Sequence, residues 1–363
     1  MTTLSLTHRR LRPRARRLAR RAGFPPRKLW PYTLPGAAAF YERRWGRMLR
    51  TTAVIGREEH LRRTGVSEIE EGLACTLCGE ADLQPLFRPF DRRRGRWVYH
   101  VVRCPSCGFL YRNPGIRPER LGDLYAGQGY GRFLTGRYGR NRQLRYRISM
   151  DRFDPLFADG RGRRLLDFGC GAGLFLEVAH ERSFDCYGVD LSCNAVERAH
   201  KRPGGANAHF GRPEDVPEIA QGGFDLITLW SVLAHLPRPS EEIGKLRRLL
   251  APDGALVILT VNANSLLLKA RHEGWNGFTP NHLVFFSQET LARMLRALGF
   301  EALVVRPFYS DALERGVVRL RHGYERRLRR NVERGNQGNM LRVAAFRSAS
   351  GPERWGLADA VAL

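Results

Sequence analysis

Four cysteines and three glycines stand in this chain at spacings that few kinds of chemistry require. Cys75-Thr76-Leu77-Cys78-Gly79 and Cys104-Pro105-Ser106-Cys107-Gly108 are two Cys-x-x-Cys pairs separated by 25 residues. Zn²⁺ in a structural site prefers four thiolates in a tetrahedron, and each pair offers two sulfurs from one tight turn. The glycine after each second cysteine accepts the positive φ that such a turn needs. A metal held by Cys75, Cys78, Cys104 and Cys107 has no open position, so its part would be folding and presentation rather than catalysis. A redox dithiol is the other chemistry of Cys-x-x-Cys; the paired, ribbon-like spacing favours zinc.

The glycines lie in Leu165-Leu166-Asp167-Phe168-Gly169-Cys170-Gly171-Ala172-Gly173-Leu174-Phe175-Leu176. An apolar run ends in a carboxylate, turns through Gly169, Gly171 and Gly173, and restarts with a helical pattern. Without a Cβ, the backbone N–H groups of such a turn approach a ligand closely. Tyr187-Gly188-Val189-Asp190 then supplies a second short strand ending in an acid, 23 residues after Asp167. An acid there is placed to bind the two hydroxyls of a ribose. The two features together imply a nucleoside-bearing cofactor across the strand ends. The Gly-x-x-Gly spacing that closes a pyrophosphate site at a helix N-terminus is absent. Two histidines, His235 and His282, complete the set, since an imidazole accepts a proton from a hydroxyl near neutral pH. Helix capping by His235 and loop bracing by His282 are the plainer readings.

The elements that must hold these residues alternate, as a parallel sheet requires. Strands are expected at 164–168, 184–189, 207–210, 224–230 and 255–261, and helices at 172–182, 192–201 and 239–250. Segments 300–305 and 339–346 read as a closing antiparallel pair. Between the cysteine pairs, 97–102 has strand character. The fourth strand ends near Trp230, so residues 230–235 face the cleft. A long loop, 262–287, follows the fifth strand on the side where function concentrates.

The hydrophobic-Asp-x-Gly-x-Gly-x-Gly run with Asp190 resembles the first motifs of the class I S-adenosylmethionine-dependent methyltransferases. The Cys-x-x-Cys ribbon, Phe109-Leu110-Tyr111-Arg112-Asn113-Pro114 and Leu121-Gly122-Asp123-Leu124-Tyr125 resemble a subset of that family from about residue 73 to 347. That subset includes sugar C-methyltransferases and enzymes of surface-glycan and natural-product genes. The resemblance implies an α/β, doubly wound, mostly parallel Rossmann-like sheet with a reversed final hairpin, preceded by a small zinc ribbon. It implies S-adenosylmethionine held by Asp167, Gly169, Gly171, Gly173, Asp190, Leu191 and Trp230. An acid near the adenine amine would come from Glu214 or Asp215, because Arg212 stands where the family has its usual aspartate. His282, with His235 second, would serve the acceptor as base. Thr279 and Asn281 replace the Tyr and Glu that accompany this histidine in the carbon methyltransferases, which favours a hydroxyl acceptor.

The domain reading is a basic extension over 1–72, the ribbon over 73–114, linker and lid helices over 115–160, a cofactor domain over 161–347 and a tail over 348–363. The formal net charge is +25, and residues 1–50 hold 14 Lys and Arg against one acid, Glu42. Only four of the 61 basic residues are lysine. Eight arginines recur in 312–334, read as a helix with a solvated basic face. Such an excess attracts polyanions or an anionic membrane surface. RNA is therefore the rival partner to a small-molecule, sugar or glycolipid acceptor. Against RNA, the basic clusters lack interleaved aromatic stacking platforms. No apolar run approaches the roughly 18–20 residues that span a bilayer. The cysteine usage suits a reducing, cytoplasmic compartment.

Overall fold

The computed structural model describes residues 69–70, 74–87, 90–91, 96–97, 100–125, 136–151, 153–272, 275, 277–279, 281–308, 337–357 and 361–362. The basic segment 1–50 and the arginine-rich 312–334 lie outside the described residues. In the amino-terminal part, β1 (Gln84–Phe87), β2 (His100–Arg103) and β3 (Leu110–Asn113) form an antiparallel meander behind the cysteine turns. A 3₁₀ helix, Pro118–Leu124, and α1 (Gly136–Asp151) lead to the main sheet.

That sheet begins with β4 (Arg164–Phe168), α2 (Leu174–His180), β5 (Asp185–Asp190), α3 (Cys193–Ala199) and β6 (Asn207–Phe210). It continues through β7 (Phe224–Trp230), α4 (Pro239–Leu249), β8 (Leu250–Val261) and α5 (Leu266–Arg271). Then come β9 (Val284–Phe285), α6 (Gln288–Ala297), β10 (Ala302–Phe308), β11 (Met340–Phe346) and β12 (Val361–Ala362). The strand order is β6-β5-β4-β7-β8-β11-β10-β12. Strands β4 to β8 are mutually parallel, and β11, β10 and β12 each run antiparallel to their neighbours. The direction of winding reverses between β4 and β7, which opens a crevice at their carboxyl ends where ligands bind in such sheets.

Local chemistry accounts for the elements. Leu165, Leu166, Ile227 and Leu229 are fully buried, as central parallel strands covered on both faces require. β8 starts earlier than the expected 255, because Leu250 already pairs with Phe224 before the ladder resumes at Ala255 opposite Leu226. The intervening turn tolerates only glycine at Gly254, where a Cβ would lie 2.7 Å from the Phe224 carbonyl oxygen. α4 opens on Pro239 with Glu241 and Glu242 in its first turn and closes on Arg247 and Arg248, complementing the helix dipole. α6 is fixed by a reciprocal cap, with the Ser287 hydroxyl accepting from the Thr290 amide and the Thr290 hydroxyl accepting from the Ser287 amide. Such a cap contributes about 1 kcal/mol.

The two faces of the sheet carry different cargo. One face packs against α1, α2 and α3 through Tyr146, Met150, Phe175, Leu176, Ala195 and Val196. The other packs against α4 and α6, and into the same core come Cys75, Cys104, Cys107, Phe109 and Tyr111. The ribbon thus shares the main core. It is also joined through its backbone: β9, from the loop after β8, pairs antiparallel with β3 and makes a four-stranded sheet in the order β9-β3-β2-β1.

Candidate active site

The glycine loop is built by β4 and β5 together. Gly169 and Cys170 both donate to the Val189 carbonyl, and Gly171 donates to the Asp190 carboxylate at 2.8 Å. The other Asp190 oxygen accepts from the Ser192 amide at 2.9 Å. Gly169, Gly171 and Gly173 have φ of 77°, 55° and 70°, a region that costs other residues roughly 1–2 kcal/mol. A Cβ on Gly169 would lie 2.6 Å from a Val232 methyl carbon, so the loop closes directly onto the turn after β7.

Both acids of the loop are buried, Asp167 with 2% exposure and Asp190 with 7%. Burial pushes the Asp167 carboxyl up to about 8, despite the Thr228 hydroxyl that donates to it at 2.7 Å. Burial raises Asp190 as well, against the pull of its two amide donors. In both acids burial thus favours the neutral form. Leu191, half-buried, follows Asp190 and packs against the core.

Trp230 packs beneath α1 and α2, with ring centroids 4.8 Å from Phe175 and 5.5 Å from Tyr146. Its indole nitrogen is buried without a partner among the described residues. The Tyr146 hydroxyl accepts from Arg142 Nε at 3.0 Å, and the Arg142 charge acts on Asp167 and His235 as well. Arg142 was hidden among the many arginines of its segment. Glu214 is paired with Lys245 of α4 at 2.9 Å, and Asp215 accepts from the Arg212 amide at 3.0 Å. Both acids are exposed at the turn after β6 and engaged by their own surroundings.

His235 and His282 come together, with ring centroids 4.8 Å apart and nearly perpendicular. The His282 Nδ1 lies 2.6 Å from the Gly277 carbonyl. A carbonyl only accepts, so the Nδ1 proton sits there and Nε2 carries a lone pair. Burial holds the His282 imidazole down to about 4, and holds His235 well below its usual range with the neighbouring His282 adding to the effect. His235 Nδ1 lies 2.8 Å from the Tyr125 hydroxyl, and the Asn281 and Ser231 carbonyls also bear on the ring. The His235 ring and the Tyr125 hydroxyl thus share one hydrogen bond. Tyr125 therefore joins the site from 110 residues away, a contact no spacing in the chain announces. Around His282, the half-buried Phe278 and Phe87 stand 5.5 Å apart by ring centroids, backed by Trp275 and Phe285.

The two cysteine turns are alike bond for bond. Cys75 donates to the Glu80 carbonyl and Gly79 donates back to Cys75; Cys104 donates to the Phe109 carbonyl and Gly108 donates back to Cys104. Gly79 and Gly108 have φ of 77° and 75°. The Sγ atoms of Cys75 and Cys107, and those of Cys78 and Cys104, lie 3.5 Å apart, and all four lie within 4.8 Å of one another. A disulfide needs about 2.05 Å. A thiolate tetrahedron with Zn–S of about 2.3 Å has sulfur edges of about 3.8 Å, so the donor set fits Zn²⁺.

The family described as "Methyltransferase domain" matches residues 138–305. Among curated proteins, the chain is 32% identical over 107 residues to a ubiquinone biosynthesis O-methyltransferase of Pseudomonas aeruginosa, covering 28% of this chain and 46% of the relative. To the protein of the same name from Thiobacillus denitrificans it is 30% identical over 155 residues, covering 39% of this chain and 65% of the relative. The chain thus spans about half the length of the first of these relatives. Among solved structures, an S-adenosylmethionine-dependent methyltransferase from Archaeoglobus fulgidus matches with 22% identity and a TM-score of 0.43, over 56% of this chain and 94% of that one. A magnesium protoporphyrin IX methyltransferase from Synechocystis matches with 17% identity and a TM-score of 0.44, over 63% and 98%. Residues 138–305 of this chain match a methyltransferase domain, and the strand order and the glycine loop are those of the class I methyltransferase, Rossmann-like fold.

Proposed function

We propose that this protein methylates a hydroxyl oxygen of a small molecule, with His282 as the base. The observation that carries this is the pair of neutral imidazoles at the end of β7, one with its proton committed to the Gly277 carbonyl and its Nε2 lone pair uncommitted. When bound, S-adenosylmethionine supplies an activated methyl group on a sulfonium. Asp190 would hold the ribose, the Gly169–Gly173 loop the methionine and ribose portions, and Leu191 with the turn after β6 the adenine side. His282 Nε2 would take the hydroxyl proton as the oxygen attacks, with His235 and Tyr125 fixing its orientation. Most of the acceleration comes from positioning an intrinsically reactive pair of groups.

The acceptor is a ring-bearing hydroxyl compound, a sugar, glycolipid or phenolic natural product. The half-buried Phe278 and Phe87 offer faces against which such a ring packs. The names of the curated relatives, as O-methyltransferases, support the oxygen. The four sulfurs would hold a structural Zn²⁺, and their open thiols suit a reducing cytoplasm.

The test is calorimetric titration of the full chain with S-adenosylmethionine and S-adenosylhomocysteine, then a mass-resolved screen of hydroxyl acceptors for the added methyl group. Micromolar cofactor binding that Asp190→Ala abolishes, and a product that His282→Gln no longer forms, are expected. A folded protein that binds neither cofactor form would end the proposal.

A further inference from the structure

One residue ties three parts of the molecule together. The Leu283 amide donates to the Ala234 carbonyl, and the Leu283 carbonyl accepts from the Arg112 amide, each at 2.7 Å. Leu283 directly follows His282, Ala234 directly precedes His235, and Arg112 lies on β3 of the ribbon. The two histidines are therefore spaced by a short ladder whose outer rail is ribbon backbone. That ladder continues as the β3–β9 pairing, Tyr111 opposite Val284 and Leu110 opposite Phe285.

The second cysteine turn grips the same segment from behind. Phe109, two residues after Cys107, packs on Phe286 with centroids 4.7 Å apart. The Cys107 carbonyl accepts from Arg293 Nη1 of α6 at 3.3 Å. By contrast, the hydrogen bonds that shape the cofactor loop run between β4 and β5 and use nothing from the ribbon.

We infer that the zinc-bound cysteine turns are the support of the His235–His282 pair, and that metal binding orders this half of the site while the cofactor half stands without it. The inference rests on the zinc reading of the four sulfurs and on the histidines being the acceptor side. Its mechanism is geometric. A thiolate tetrahedron locks the Cys104–Phe109 turn, that turn fixes β3 and Phe109, and these present the backbone edge on which Leu283 is seated. A metal that closes a turn in this way contributes its binding energy as folding energy of whatever depends on the turn.

The experiment compares the full-length, zinc-loaded protein with the same protein stripped by a chelator, metal content being measured in both. Hydrogen exchange is followed by mass spectrometry over 106–113, 232–236, 281–286 and 165–175, with calorimetric titration of S-adenosylhomocysteine in parallel. The expected result is at least tenfold faster exchange over 281–286 and 106–113 after stripping, little change over 165–175, and a cofactor Kd within threefold. Unchanged exchange over 281–286 in verified metal-free protein overturns the inference. So does collapse of both halves together, because the support would then be global. A purified protein that neither contains nor takes up zinc overturns it too, while the S-adenosylhomocysteine titration still tests the methyltransferase reading separately. As a second variant, Arg293→Met removes the guanidinium bond to the Cys107 carbonyl and leaves all four sulfurs. It should retain one zinc per chain and raise exchange over 281–286 severalfold; no change there counts against the support as drawn.

Discussion

At the scale of single residues, His282 shows how surroundings fix a tautomer. The Gly277 carbonyl holds the Nδ1 proton, so the ring is a base in one orientation only. Held down to about 4, the imidazole is neutral across the physiological range. Methyl transfer should therefore be insensitive to His282 titration from about pH 8 to 5 and fall as the ring charges near 4, rather than near the ordinary histidine value of about 6.5. His282→Gln should lower turnover by roughly 10²–10⁴-fold, with S-adenosylhomocysteine affinity within threefold. A wild-type profile that breaks near 6.5, or a Gln variant with normal turnover, would contradict this.

Asp167 gives a second pH signature of opposite sense. Its folded value of about 8 lies above that of an unfolded aspartate, about 3.9, so the folded state binds the extra proton between the two. Stability of the cofactor-free protein should accordingly fall as pH rises from about 4 to 8. Asp167→Asn keeps an acceptor for the Thr228 hydroxyl and should flatten that slope in melts recorded across the range. A slope identical to wild type would refute the assignment. The two acids and the glycines were legible from spacing alone. Tyr125 and Arg142 were not, because each reaches the site by its side chain from a distant segment.

At the scale of elements, the strands read from the chain agree closely with those observed, since buried parallel strands are short apolar runs with sharp ends. β4, β6 and β7 coincide with the expected 164–168, 207–210 and 224–230. In the ribbon only 97–102 reads as a strand from the sequence, against the observed His100–Arg103; β1, β3 and β9 escaped notice. A two-residue strand carries no periodicity, and Val284-Phe285 is recognisable only by its partner. The edge strand β12 escaped for the same reason. The glycine turn offers the sharpest element-level test. Gly169→Ala combines a positive φ with a contact of 2.6 Å to Val232, a cost of roughly 2–4 kcal/mol. Denaturant unfolding should show that loss, and S-adenosylhomocysteine binding should weaken at least tenfold. Ala at this position with unchanged stability would mean that the loop and the turn after β7 are not in contact.

At the scale of the whole molecule, the sheet's outer edge is completed by the last residues described, Val361 and Ala362, against Ala302 and Leu303. Removing residues 358–363 uncovers the β10 edge, and unpaired edges invite association. The truncated chain should melt a few degrees lower and self-associate with concentration in sedimentation, while binding S-adenosylhomocysteine normally, because the crevice lies on the far side of β8. Loss of cofactor binding on truncation would show that the edge and the crevice are coupled. No helix among the described residues is long and apolar enough to cross a membrane.

The joining of the ribbon to α6 also has a consequence for synthesis. Cys107 and Arg293 touch across 186 residues of chain, and β3 waits for β9. On the ribosome the cysteine turns emerge early and could capture metal at once, since each turn is closed by its own local bonds. The apolar faces of Phe109 and Tyr111 would then stay uncovered until translation has passed α6. A nascent chain arrested before residue 280 should carry zinc and still recruit holdase chaperones; one arrested well beyond 300 should release them.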